Sequence, residues 1–207
     1  VAIIFFTFLM RIILFPLAHV SFKSMAKMKK LQPEMQRLKE VYPDDRQKMQ
    51  QELMALYKKE GANPIAGCLP MFLQIPIFFS LYKVLFVTIE MYHAPFYGWI
   101  HDLSAPDPLG ILIVFGLIPW DVPPLLSLAN IGILPILMGT TMWLQQKLNP
   151  APADPTQARI FAILPFVFTF ILAGFAAGLV LYWTVNNILS IAQQWIIQRK
   201  ILAKKND

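Results

Sequence analysis

The chain has 207 residues, 57% of them hydrophobic and only 14% charged, and its mean hydropathy is +0.53. That balance argues against a soluble core and for a polytopic membrane protein. A net charge of +6 would suggest nucleic acid in a soluble chain. Here the charge is concentrated in a few segments, and no nucleic-acid specificity is expected.

Residues 1–20 are nearly continuous apolar sequence with one arginine, Arg11, in the middle. About 20 residues at ~1.5 Å rise cross a ~30 Å hydrocarbon layer. A guanidinium stays charged there and needs partners or water. Two readings are open. Either the helix begins upstream of Val1 and Arg11 snorkels to an interface, or Arg11 faces a polar cavity within the bilayer. The abrupt apolar start, without Met or a basic leader, reads as a piece of a longer protein.

Residues 21–64 form the one long charged stretch. Met25, Met28, Leu31, Met35 and Leu38 step by three or four, as one apolar stripe of a helix does. Tyr42, Pro43 and Asp44 make a turn, with Asp44 or Asp45 as N-cap of a second helix. That helix carries Met49, Leu53 and Leu56 and ends at Gly61 and Pro64. The pair predicts an antiparallel helical hairpin. Its basic outer face carries Lys27, Lys29, Lys30, Arg37, Arg46 and Lys48. Pro33 must either kink the first helix or mark its restart.

Further spans are expected at about residues 65–92, 125–146, 160–176 and 178–197, with an external loop at 93–124. Pro70 and Pro76 should bend the second, which carries Gln74 and Lys83. Tyr97 and Trp99 suit a membrane interface. Residues 109–119 are apolar but too short to cross and read as re-entrant or surface-lying. Single cysteine Cys68 reads as a small packing residue, since no Cys/His cluster suggests a metal. The fold class is therefore all-α: one domain over residues 1–207, a five-span bundle with an amphipathic hairpin.

Orientation follows from Lys and Arg counts. The 21–64 segment holds ten, 147–159 two and the tail four, whereas 93–130 and 173–178 hold none. The two left over are Arg11 and Lys83. Alternate loops carry the charge, which the positive-inside rule reads as an external start and a cytoplasmic C-terminus.

No catalytic constellation is present. Ser80, Ser127 and Ser190 lack a GxSxG context, and His19, His93 and His101 lack HExxH spacing. His101 and Asp102 read as an external loop pair. Glu90 is the one carboxylate within a span, close to its outer end, which disfavours proton coupling. The intramembrane polar inventory is Arg11 with Thr7, Gln74, Thr140, Thr141, Gln145, Gln146, Tyr182, Trp183, Asn186 and Asn187. Singly these are interhelical glue. Together with Arg11 they suggest a wet, positively charged concavity for transient contact with a polar, often acidic peptide.

The stretches RIILFPL, MAKMKKLQPEMQRLKE, QELMALYKKEGANPIAGCLPMFLQIPIF and GLVLYWTVNN, in this order, resemble the YidC/Oxa/Alb family of membrane-protein insertases, in its bacterial branch. The resemblance runs through nearly the whole chain. It implies a non-enzymatic, cofactor-free inner-membrane insertase or chaperone with a hydrophilic groove open to cytoplasm and lipid. Arg11 would be the groove arginine, and Thr7 and Trp183 would contact nascent spans. The groove reading also takes in Gln74, Thr141, Gln145, Gln146, Tyr182 and Asn187. Expected partners are nascent membrane proteins, membrane lipids, the ribosome, the Sec translocon and targeting machinery. Polar residues on several spans of one chain suggest function as a monomer. The apolar stretch 111–126 is longer than the family pattern. A small anionic-solute transporter or channel is the competing reading, and an intramembrane enzyme a third.

Overall fold

A computed structural model describes residues 1–43, 45–63, 69–118, 122–123, 130–150 and 155–203. Asp44, Pro64, Cys68, Trp120 and the first residues expected for the second and third spans lie outside them. Among the described residues there are eight α-helices and no strand: α1 (Ala2–Ile13), α2 (Phe15–Lys30), α3 (Gln32–Val41), α4 (Arg46–Lys59), α5 (Leu69–Val87), α6 (Ile133–Leu148), α7 (Pro155–Leu172) and α8 (Ala177–Ala203).

The first span is not one straight helix. It breaks at Leu14, and α1 and α2 are bent by 69°. The cause is local. Pro16 has no N–H for the Ile12 carbonyl, and its ring would crowd that carbonyl in a continuous helix. Pro16 instead takes the first turn of α2, where a missing N–H costs nothing. Pro33 does the same at the start of α3, so it marks a restart at Leu31. The methionine stripe is divided accordingly. Met25 packs beside Ala18, Phe22 and Ile197, whereas Met28, Leu31 and Leu38 join Met35, Leu53 and Tyr57.

Helix α4 is capped by Asp45, whose Oδ1 accepts from Lys48 N at 2.9 Å. The α3–α4 hairpin returns to α2 through Asn63 N donating to Ser24 Oγ (3.1 Å) and Ser24 Oγ donating to Asn63 O (2.9 Å). Helix α5 continues through Pro76, and Ser80 Oγ donates to the Pro76 carbonyl at 2.8 Å. It ends at Val87, short of the expected Tyr92, in a 3-10 turn over Ile89–Met91.

Helix α8 is the hub, packed against α6, α1, α2 and α5, and α7 packs on α6. The main core joins Ile3, Leu85, Met138, Leu179, Val180 and Tyr182. Outside the core, polarity is inverted. Thr7, Ser21, Thr184, Asn187, Ser190, Gln194 and Gln198 are buried, while Phe5, Phe8, Phe72, Phe79, Ile163, Phe166 and Phe170 are exposed. That arrangement suits an apolar surround. Among the described residues no single helix is long and apolar enough to cross a membrane, but the bent α1–α2 pair is. In α8 the cause is visible, since its buried polar side chains lower the hydropathy of a 27-residue helix.

The loop after α5 closes over the ends of α6 and α8. Asp107 Oδ2 accepts from Leu134 N (2.7 Å), and its Oδ1 accepts from Trp99 Nε1 (3.1 Å) and Leu109 N (3.0 Å). Ala177 N and Gly178 N donate to the carbonyls of Ala105 and Leu103. A distant loop thus satisfies the donors that helix N-termini leave open. Asp102 pairs with His93 Nδ1 at 2.5 Å rather than with its neighbour His101. A turn with His93 at φ 54° folds the chain back and brings the two together.

Candidate functional site

Arg11 lies near the end of α1, just before the break at Leu14. Its Nε donates to Asn186 Oδ1 at 2.9 Å and its Nη2 to the Asn186 carbonyl at 2.9 Å, with a further short bond from Nη2 to Ser190 Oγ. Ser190 Oγ in turn donates to the Asn186 carbonyl (2.8 Å). Asn186 Nδ2 donates to Gln74 Oε1 (3.2 Å), and Gln74 Nε2 to the Tyr182 hydroxyl (2.6 Å). Tyr182, Asn186 and Ser190 are four residues apart, so α8 presents them along one face. Helix α5 supplies Gln74 from the opposite side.

Arg11, Gln74, Tyr182 and Asn186 line a cavity of about 40 Å³ with apolar walls from Met10, Leu14, Leu17 and Leu73. At ~10–15 Å³ per water centre it has room for a few water molecules. Asn186 and Ser190, which hold Arg11, are both neutral. Among the described residues no carboxylate lines the cavity to offset the guanidinium. A half-buried cation held only by neutral acceptors keeps its net charge available to an incoming group.

The structure joins Arg11, Gln74 and Tyr182 of the expected site and places the others elsewhere. Thr7 is fully buried, its hydroxyl donating to the Ile3 carbonyl at 2.6 Å, and it does not line the cavity. Trp183 lies in an aromatic group with Phe78 and Phe168, at ring separations of 5.3 and 5.5 Å. Thr141 accepts from Asn187 Nδ2 at 3.3 Å, which belongs to a second polar contact between α6 and α8. Gln194 Nε2 to Asn149 Oδ1 (2.9 Å) and Gln198 Nε2 to the Leu148 carbonyl (3.0 Å) extend that contact. Gln145 and Gln146 are half-buried on α6.

Asn186 and Ser190 hold Arg11 directly; the sequence placed Asn186 in the polar inventory around Arg11 but not among the groove residues, and Ser190 in neither. Their signal was the four-residue spacing from Tyr182. Of the cations expected on the hairpin, Lys27 and Lys29 (half-buried) and Lys30 (exposed) lie in the last turn of α2, whereas Arg37 on α3 and Lys48 on α4 are exposed. Lys27 Nζ reaches the Gly61 carbonyl at 3.4 Å, and Lys48 Nζ lies 5.4 Å from the centre of the Tyr42 ring. The Arg46 side chain is outside the described set.

The family described as "60Kd inner membrane protein" matches residues 1–205. A membrane protein insertase YidC of Pelagibacter ubique is 62% identical over 203 residues, covering 98% of this chain and 36% of that protein. A second, from Ruegeria sp., is 61% identical over 202 residues, covering 96% of this chain and 33% of the relative. A solved structure of an active YidC insertase, with its first transmembrane domain resolved, is 28% identical. Its TM-score is 0.64, and the match covers 92% of this chain and 40% of that one. The chain thus spans about a third of the length of the curated relatives it matches. With a family match running through nearly all of its length, the chain belongs to the 60Kd inner membrane protein family.

Proposed function

We propose that this chain is the membrane-embedded core of a YidC-type insertase, which helps nascent membrane proteins enter the bilayer without an enzymatic step or cofactor. The observation that carries the reading is Arg11: a cation held by neutral groups in a polar cavity, among helices whose outer faces are apolar. In this reading the core has five spans, an external start and a cytoplasmic C-terminus, in keeping with the alternation of charged and uncharged loops. The α3–α4 hairpin faces the cytoplasm, where its exposed lysines and Arg37 suit anionic headgroups, the ribosome or targeting components. Sec translocon contact and action as a monomer belong to the same proposal.

The chemistry is exchange of hydrogen bonds. A short polar tail enters the cavity and its carbonyl or carboxylate oxygens replace neutral partners of Arg11. The cost of carrying polar groups into hydrocarbon falls because they stay solvated. The following span partitions into lipid, driven by roughly 25 cal/mol per Å² of apolar area removed from water. A membrane potential adds about 2.3 kcal/mol per charge per 100 mV for acidic tails moving outward.

Replacing Arg11 with alanine in the full-length protein lowers insertion of acidic-tail substrates on the order of tenfold, the worth of one charge-assisted hydrogen bond. A photo-crosslinker at Leu17, on the cavity wall, captures a stalled nascent span. Undiminished insertion by Arg11→Ala across a panel of such substrates overturns the role of Arg11. Saturable uptake of a small anion with no nascent-chain crosslinks favours a transporter instead.

A further inference from the structure

We propose that the apolar insertion of the external loop is an outer-leaflet anchor: Ile111, Leu117 and Ile118 sit among lipid acyl chains and hold at the membrane surface the loop that covers α6 and α8. The inference rests on the membrane-embedded core and the orientation proposed above, and adds to them a lipid-binding surface far from the Arg11 cavity in the chain.

The insertion grows from a fixed root. Ile111 N donates to the Ile131 carbonyl (3.0 Å) and Ile133 N to the Leu109 carbonyl (3.2 Å), so residues 109–111 run beside residues 131–133. Ile133 is the first residue of α6, which puts the root level with the outer end of a span. Gly110 and Gly132 meet in this pair, and neither has room for a side chain. A Cβ would fall on Asn130 at the first and on Asp107 at the second. Trp99 reaches the same root, since its Nε1 and Leu134 N share the Asp107 carboxylate. A tryptophan with its polar end engaged suits the headgroup level.

From this root the chain makes one 3-10 turn, Ile111–Gly116. Gly116, at φ 86°, turns it back so that Ile118 N donates to the Ile113 carbonyl at 3.2 Å. Six residues at ~2 Å rise span ~12 Å, less than half of a ~30 Å hydrocarbon core, so the turn enters one leaflet only. Its entry is satisfied in hydrogen bonds. Asp107 Oδ1 accepts from Leu109 N and Asn130 Oδ1 from Leu112 N, both at 3.0 Å, and carbonyls accept from Gly110 N and Ile111 N. Residues 108–118 contain no polar side chain at all. Ile111, Leu117 and Ile118 are 43%, 79% and 49% exposed. Backbone donors engaged and aliphatic side chains turned outward is the arrangement that hydrocarbon requires and water disfavours. A protein-binding patch carries a polar rim, and residues 108–118 supply none. Val87 and Ile89, at the outer end of α5, are exposed in the same way.

The test places a photoreactive diazirine amino acid at Leu117 of the full-length protein, in vesicles of phosphatidylethanolamine and phosphatidylglycerol. Adducts are identified by mass spectrometry. Phe166, exposed on α7, is the lipid reference, and His101, exposed in the polar part of the loop, is the water reference. Lipid adducts at Leu117 should approach those at Phe166 and exceed those at His101 about tenfold, the partition of a leucine-sized group at the low end of its transfer energy. Leu117→Asp with Ile118→Asp, both outside the core, should speed hydrogen exchange of the Leu112 amide about tenfold in the same vesicles. Water adducts at Leu117 beside lipid adducts at Phe166 overturn the proposal. So do crosslinks from Leu117 to a second copy or to another part of the full-length chain, because protein then covers the insertion. Unchanged exchange in the double variant overturns it as well, since the side chains then hold nothing. Water adducts at Phe166 overturn the membrane-core reading itself.

Discussion

At the residue scale the molecule separates one shielded charge from one paired charge. Arg11 is held by neutral amides and a hydroxyl inside the bundle, whereas Asp102 meets His93 in an exposed loop. Partial burial pushes the Asp102 carboxyl up, but hydrogen bonds from Ser104 Oγ and N and from His93 outweigh it and hold the carboxyl below its usual value of 3.8. A depressed folded-state value means that the turn is stabilised above the unfolded carboxylate range. That stabilisation is lost as pH falls through the lower folded value. Hydrogen-exchange protection of the Ser104 amide is therefore expected to decline below about pH 4 in the native protein. In Asp102→Asn it is low and independent of pH. Protection that survives acid in the native protein would show that the ionised carboxylate does not hold the turn.

At the element scale the hairpin has its own small core. Met35, Leu53, Tyr57 and Ala62 are buried together, and the Tyr57 hydroxyl lies 3.4 Å from Met35 Sδ. Burial also raises the Tyr57 hydroxyl above its ordinary value. This cluster shares no residue with the core around α8. Met35→Ala should cost the hairpin about 2–5 kcal/mol, the usual range for a buried Met truncation. Limited proteolysis should then cut between residues 32 and 59 much faster, with the melting temperature of the helical bundle unchanged. A matching fall in bundle stability would mean that the two cores fold as one unit. The hairpin's return to α2 through Ser24 and Asn63 fixes its root, so loosening is expected beyond that point.

At the scale of the whole molecule, α6 and α7 approach each other closely at one glycine. Gly139, buried on α6, faces α7 where an added Cβ would fall on Thr169 Oγ1. That hydroxyl is already committed to the Pro165 carbonyl at 2.7 Å, so it cannot turn aside without breaking a bond. Gly139→Ala should lower stability in detergent by about 1–3 kcal/mol, the range for overpacking. Gly174→Ala, with nothing within 4 Å of the new carbon, should be close to neutral. Pairing Gly139→Ala with Thr169→Ala should restore much of the loss. Equal melting temperatures for the two single variants would show that the helices part without cost.

Much of this was legible along the chain because it depends on neighbours in sequence. Composition alone indicated helices in an apolar surround, and three- and four-residue spacing located the hairpin and its capped second helix. Charge alternation is a count over loops and needs no coordinates. Pro33 was recognised as a kink or a restart, and local backbone geometry decided for the restart. What needed the tertiary structure were partners far apart in sequence. The partners of Arg11 lie 175 and 179 positions away, and nothing local distinguishes Asn186 and Ser190 from ordinary helix glue. Thr7 looked like a cavity residue until its hydroxyl turned back to its own helix. Asp102 chose His93 over adjacent His101 because a turn of the loop, and not proximity in sequence, sets which side chains face each other. Spacing determines which face of a helix is polar. Only packing decides what that face meets, and hence whether a buried arginine is neutralised or left with its charge to offer.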